Sequence, residues 1–563
     1  MDSAFSLPTL MVIVPAAGGL IAMSMLTRRA AAITALVTTL LQAALIVIGL
    51  VQLDRFAERA GRGVVPGCGE SAASEGSRFV LAQCSDWFPQ WGIQYQVSLG
   101  YGALALVALT TLVTAAASTF SWWADRERPA PMQGLLWLTA ACLTGLFVAR
   151  DLVVFYVFFE LMLVPLLLLV GVWGGAHRVR ATMTMFIYTL VGSLPMLVGV
   201  IAVGLASAEA GGGESTFSLP DLAALAARGE LDLSWWVLAS FLLAFAIKAP
   251  LVPLHGWLPL AYREAPAEVT AVLSGLVSKA AFFGMFIVVL PLFPQQLAGG
   301  WGTALTWVAL VSLLLGSLAA FRQPDPRGVV AYSSLAQMGL IFLGLSAFTG
   351  VGSEQATSGA YLQTINHGLV SAAAFLLVGI VERRTGETTF ARMGALAGGR
   401  ARLASIGLLL TLIMLAVPGA STFAGELLIL GGVFRGDVSG PLVATLGSLA
   451  VVLAAMYALR LIAGVAFSDR DSTSEDSREA NERFGGDLGV RELLVVSPAL
   501  LALVVLSVWP NLLHRPMTQP PVALTRPADP LVAVEAEEAS EDGASERPDA
   551  DEPAGASAAE DES

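Results

Sequence analysis

The chain is predicted to be an all-α, polytopic membrane helix bundle of about 14 transmembrane helices. Three observations predict it. Hydrophobic residues make up 56% of the 563 residues and charged ones 13%, with a mean hydropathy of +0.72. A soluble domain of this size does not have that balance. Apolar runs of about 18 or more residues recur along the chain, long enough to cross a hydrocarbon core. In lipid such runs must be helical, because each backbone group needs a partner within its own segment.

The expected spans fall near 7–25, 31–53, 97–120, 132–149, 152–172, 181–207, 234–254, 267–291, 301–321, 328–348, 358–381, 403–432, 440–467 and 490–511. The first has no basic stretch before it and no small-residue cleavage site, so it reads as a retained helix and not a signal peptide. Arginines set the orientation. Loops after odd-numbered spans carry Arg28, Arg29, Arg126, Arg128, Arg178, Arg180, Arg263, Arg322 and Arg327, then a cluster from Arg383 to Arg402. Loops after even-numbered spans are mostly poor in arginine. The positive-inside rule makes the odd-side loops cytoplasmic and both termini outward. The loop 54–96 departs from the pattern with Arg55, Arg59, Arg62 and Arg78, but long loops count less in that rule.

That outer loop holds Cys68 and Cys84. In an oxidising compartment they form either a disulfide or two free thiols, and the sequence leaves both open. Cys142, inside a span, reads as packing. With no Cys-x-x-Cys pair, no cysteine cluster and no glycine-rich dinucleotide fingerprint, the sequence shows no site of its own for iron–sulfur clusters, flavin or NAD.

The expected organisation is 1–96 for two helices and the outer loop, 97–131 for the third helix and its cytoplasmic loop, and 132–300 and 301–467 for two five-helix repeats. A polar linker and last helix occupy 468–515, and 516–563 form an acidic tail too poor in apolar residues to build a core. The repeats, spans 4–8 and 9–13, are inferred to be inverted relative to each other. Pro250 and Pro253 break span 7, and Pro418, Gly419 and Gly425 break span 12, five spans later. Proline inside a helix removes a backbone bond. Paired interruptions in corresponding halves mark transporter repeats and their ion sites.

The informative residues are the charges inside spans. An ionised side chain at mid-bilayer costs roughly 2.5–3.5 kcal/mol on insertion scales, so such groups line polar paths. The chain has 31 basic residues, of which only Lys248 and Lys279 are lysine, and both lie within apolar runs. Arginine stays charged, whereas lysine gives up its proton when desolvated. Glu160 and Glu426 are the acids on two further spans. Two acids and two lysines on four spans suit a proton relay better than a purely structural ion-pair network. His255, just after the span 7 break, and His367, in span 11, are candidate additions. Neither has an acidic or histidine neighbour at ligand spacing, so no metal site is expected.

Several motifs resemble a known family: Phe159-Glu-Leu-Met-Leu-Val-Pro with Gly171-Val-Trp-Gly-Gly, Pro253-Leu-His-Gly-Trp-Leu-Pro, Glu264-Ala-Pro, Ala331-Tyr-Ser-Ser, Asn366-His-Gly-Leu, Glu382-Arg-Arg, and Trp87-Phe-Pro-Gln-Trp-Gly-Ile ahead of span 3. They are similar to the proton-translocating antiporter-like subunits of respiratory complex I, most of all the M type of bacterial NADH–quinone oxidoreductase. The likeness covers roughly residues 85–435. It implies that Glu160 pairs with Lys248, that Lys279 connects two half-channels, and that Glu426 is the terminal ionisable group. It further implies a multi-pass protein of the bacterial inner membrane, moving protons for a complex whose NADH, FMN, iron–sulfur clusters and quinone sit in partner subunits. L-type and N-type chains would be its neighbours, and no nucleic acid is implied. Tyr262 and Gln337 stand where the family often has histidine, and Gly100-Tyr-Gly-Ala103 replaces an acidic motif, which puts proton transfer through span 10 in question. Alternatives are an Mrp-type Na⁺/H⁺ antiporter subunit, a subunit of a related hydrogenase or bicarbonate-uptake complex, and a structural membrane scaffold.

Overall fold

The computed structural model describes residues 6–60, 81–347, 352–436, 440–467 and 475–514. Cys68 and the acidic tail 516–563 lie outside them. Cys84 is disulfide-bonded, and Cys142 is a free, buried thiol.

Twelve helices among the described residues are long and apolar enough to cross a membrane. The two other expected spans are present as shorter apolar pieces. Span 7 is Trp235–Lys248, a turn, and then Leu258–Glu264; span 12 is Ala401–Met414 followed by Ser421–Phe434. Span 5 is also divided, into Leu152–Leu161 and Leu163–Trp173. Pro165 cannot donate to the carbonyl four residues back, and the division falls between it and Glu160.

Local chemistry sets where the helices begin. Asp151 starts span 5 by accepting from the Val153 and Val154 amides at 2.8 and 3.1 Å. Asp325 starts span 10 (Pro326–Ser346) through the Gly328 amide at 2.6 Å, with a proline at the first position.

Packing separates an outer ring from a centre. Span 11 (Ser353–Thr385) has an apolar window buried over its whole length and span 8 (Ala267–Leu292) is 94% buried, whereas span 2 is 22% buried. Spans 8 and 11 are thus the most fully screened from the surroundings of the bundle. Span 8 contains two π-helical stretches, Leu273–Val277 and Met285–Val289, on either side of Lys279. Such widened turns shift backbone carbonyls out of the regular ladder.

At the arginine-rich end, four ion pairs tie together segments far apart in the chain. Arg126 grips Glu268 with two bonds of 2.8 and 3.0 Å, Arg263 meets Asp325 at 2.8 Å, and Arg327 meets Glu382 at 2.6 Å. Arg384 Nε donates to Glu492, at the start of span 14 (Val490–Val508), at 2.6 Å. The first three surround a cavity of about 490 Å³.

Three elements were not expected from the sequence. An antiparallel hairpin, β1 (Ala82–Phe88) and β2 (Ile93–Ser98), occupies the end of the loop before span 3. Its turn closes at Gly92, whose φ of 68° suits glycine. A short helix, Leu219–Ala227, lies between spans 6 and 7. The stretch read as a polar linker contains the helix Glu475–Phe484, where Phe484 lies between the Arg384 and Arg400 guanidinium groups at 4.8 and 4.9 Å.

Candidate functional site

Both broken spans re-satisfy their freed backbone groups. In span 7 the Ile247 carbonyl accepts from the Trp257 indole at 2.9 Å, and the Val252 amide donates to Ser312 Oγ at 2.9 Å. In span 12, Thr422 Oγ1 donates to the Ile413 carbonyl at 2.6 Å, the Ser421 amide donates to Ser507 Oγ at 2.9 Å, and Asn366 Nδ2 donates to the Ser421 carbonyl at 2.8 Å. Irregular backbone at this depth is stable only with such partners.

Lys248 ends the first half of span 7 and is buried. Its ammonium sits over the Phe159 ring, 4.4 Å from the centroid. Glu160, the next residue, is half-buried and close enough to act on Lys248 electrostatically. No hydrogen bond or ion pair from Lys248 occurs among the described residues. The expected Glu160–Lys248 partnership is thus one of proximity without direct contact. His255 lies in the span 7 turn, half-buried, with Nδ1 buried and unpaired. Among the described residues it makes no hydrogen bond or ion pair with either lysine.

Lys279 has three partners. Its Nζ lies 2.8 Å from the Ser274 carbonyl, 3.1 Å from Ser278 Oγ and 2.7 Å from His367 Nδ1. The π stretch presents the Ser274 carbonyl, which also accepts from Ser278 Oγ at 3.1 Å. All three groups can accept from an ammonium; with Lys279 charged, His367 Nδ1 is the acceptor and the ring proton is on Nε2. No partner for Lys279 was evident in the sequence. His367, three spans away, is that partner.

His367 Nε2 is buried without a protein partner and lines a cavity of about 20 Å³, together with Ser333, Gln337, Gln363, Glu426 and Tyr457. That is room for one water molecule, in a lining that Val330, Val370, Ala374 and Met414 complete. At its far side Gln337 Nε2 donates to Glu426 Oε1 at 3.2 Å, and Gln363 Nε2 donates to Gln337 Oε1 at 2.7 Å. Gly425 lets spans 11 and 12 come this close, since a Cβ there would stand 2.5 Å from Gln363 Oε1. Lys279 thus contacts His367, and His367 and Glu426 line one cavity, which brings groups of spans 8, 11 and 12 together.

Gln337 stands where a histidine was expected from the resemblance. It bridges by hydrogen bonds but cannot take up a proton. Gln363, Ser274, Ser278 and Ser334 were not singled out in the sequence. The available signal was spacing: Gln363 and His367, like Ser274 and Ser278, are four apart and share a helix face. Among the described residues, no three His, Cys, Asp or Glu side chains gather as metal ligands.

A polytopic bundle with broken helices and a buried file of ionisable groups is the architecture of an ion-translocating membrane protein. The family described as NADH:quinone oxidoreductase/Mrp antiporter, TM, matches residues 149–454. NADH-quinone oxidoreductase subunit 13 of Thermus thermophilus is 38% identical over 382 residues, covering 68% of this chain and 76% of that protein. NAD(P)H-quinone oxidoreductase chain 4 2 of Microcystis aeruginosa is 32% identical over 456 residues, covering 77% and 80%. A chain in the solved structure of respiratory complex I from Thermus thermophilus with bound NADH matches with a TM-score of 0.74 at 30% identity, covering 91% of this chain and 97% of that one. The chain belongs to the NADH:quinone oxidoreductase/Mrp antiporter transmembrane family.

Proposed function

We propose that this chain is the M-type antiporter-like subunit of a bacterial NADH–quinone oxidoreductase, a multi-pass inner-membrane protein working beside other antiporter-like subunits. It moves protons, and the redox chemistry and its cofactors belong to partner subunits. The arginine-rich end, with its 490 Å³ cavity, faces the cytoplasm. Spans 4–8 and 9–13 act as two inverted five-span units, a division supported by the spacing of the two broken helices.

The observation that carries this reading is the 2.7 Å contact of Lys279 with His367, backed by a water-sized cavity lined by both His367 and Glu426. Lys248 is the gate of the file. When Glu160 is near, its charge holds the proton on Lys248; when the pair separates, burial favours release. The proton passes to Lys279, whose ammonium hands one to His367 Nδ1 while Nε2 gives its own to the cavity. Glu426 takes it up there. Quinone reduction elsewhere supplies the free energy.

The test is the assembled complex in proteoliposomes, with protons pumped per NADH oxidised as the readout. Lys248→Ala and Glu160→Ala each abolish coupled pumping. Normal pumping by either variant contradicts the proposal. The family also includes Mrp antiporters, and a Na⁺ gradient replacing the proton gradient in the same vesicles would favour that alternative.

A further inference from the structure

Two cavities adjoin beside the break in span 12. One is the water-sized cavity that Glu426 lines. The other, of about 40 Å³, lies between span 11, the first half of span 12 and span 13 (Gly440–Ala466). Ala374 and Met414 line both. Ala374 is on span 11, and Met414 is the last residue before the break; both are buried. These two side chains are therefore the shared wall.

The second cavity differs from the first in chemistry. Thr411 has the one polar side chain in its lining, and that hydroxyl donates to the Gly407 carbonyl of its own helix at 2.7 Å. A buried water needs roughly two to four polar partners, and an apolar cavity without them stays dry. The cavity points to the arginine-rich end. Val381 in its lining precedes Glu382, the partner of Arg327, and Leu403 follows Arg402. There the Leu396 and Ala397 amides donate to the Val465 and Ala466 carbonyls at 3.4 and 3.1 Å, which ties the loop before span 12 to two more lining residues.

We infer that Met414, backed by Ala374, is a hydrophobic seal that keeps Glu426 from exchanging protons with the arginine-rich side. This rests on the relay reading above and adds its direction. A terminal group open to both sides would short-circuit the gradient that the pump builds. Protons cross along hydrogen-bonded water, and an apolar constriction that excludes water blocks them. Methionine suits the wall, because its unbranched side chain fills an irregular gap. Alanine is too small to close it alone.

The experiment uses the whole complex in proteoliposomes. It measures the decay of an imposed pH gradient without NADH, and protons pumped per NADH oxidised. The parent is compared with Met414→Ser, Met414→Leu, Met414→Ser combined with Glu426→Gln, and Lys248→Ala. Met414→Ser should leak at least about tenfold faster than the parent and pump fewer protons per NADH while NADH oxidation continues. Met414→Leu, apolar and of similar volume, should restore the parental leak, and adding Glu426→Gln should suppress the leak of Met414→Ser. A parental leak in Met414→Ser, with pumping lost in Lys248→Ala, overturns the seal and leaves the relay standing. Parental pumping by Lys248→Ala overturns the relay, and the seal with it. A leak that survives Glu426→Gln bypasses that residue and overturns the inference. So does a leak as fast in Met414→Leu as in Met414→Ser, which marks a packing defect. If Met414→Ser does not assemble, Val378→Thr takes its place, adding a hydroxyl to the same cavity with little change of shape. A faster leak then supports the seal and a parental one overturns it.

Discussion

The surroundings of the two lysines differ in kind. Lys248 is held by the face of one aromatic ring and the nearby charge of Glu160, with no direct bond. Lys279 is fixed by three acceptors within 3.1 Å and continues into His367, a water-sized cavity and Glu426. A group held by distance-dependent forces alone responds to small movements of its neighbours. A group bonded on three sides does not, but it can hand a proton along without moving. In the proposed relay the two lysines therefore take different tasks, a switch at span 7 and a wire from span 8 to span 12.

The wire is easiest to break. His367→Phe removes the group that both bonds Lys279 and lines the cavity, and pumping per NADH falls by at least about tenfold while the complex still assembles. Proton uptake by reconstituted vesicles measures this; pumping near the parental level would mean that water bypasses span 11.

Weakening the switch gives a smaller effect. Phe159→Leu removes the ring beneath Lys248 and with it about 0.5–2 kcal/mol of cation–π attraction. Lys248 then releases its proton more readily, and the coupling ratio drops a few-fold without being lost. If Phe159→Leu behaved like His367→Phe, the distinction between switch and wire would fail.

The smallest effect lies outside the membrane. Asp487 receives the Arg402 amide at 2.8 Å and the Leu403 amide at 3.1 Å, and so caps the start of Ala401–Met414. Partial burial pushes its carboxyl upward, but the backbone amides of Arg402, Leu488 and Leu403 and the Arg402 charge outweigh that and hold it below the usual carboxylate range. With its folded value depressed, Asp487 contributes stability above the ordinary value of about 3.9, and the contribution disappears as pH falls through the lower folded value. Hydrogen exchange at Arg402 and Leu403 should therefore quicken only in acid, and Asp487→Asn should abolish that acid dependence with pumping at neutral pH unchanged.

How much of this was legible in the sequence follows from the forces involved. Hydropathy exposed the spans because lipid admits few polar residues, and the breaks were legible because Pro250, Pro253, Pro418 and Gly419 cannot continue a helix. The four charges stood out because burying them is costly. Their partners did not, since Lys279 and His367 are 88 residues apart and meet only when spans 8 and 11 pack. Serines such as Ser278 are ambiguous in any membrane helix, because they can bond a carbonyl of their own helix, as Ser278 does. The β1–β2 hairpin was missed because its strands are short and its tryptophan-rich turn reads equally well as a membrane-interface segment.

The central claim is that a proton leaves the file through Glu426. Glu426→Gln keeps the size of the side chain and an oxygen to accept from Gln337 Nε2, but it cannot take up a proton. Protons pumped per NADH oxidised, measured on the intact complex in proteoliposomes, should fall below the parental ratio while the complex assembles normally. An unchanged ratio in Glu426→Gln would contradict the account.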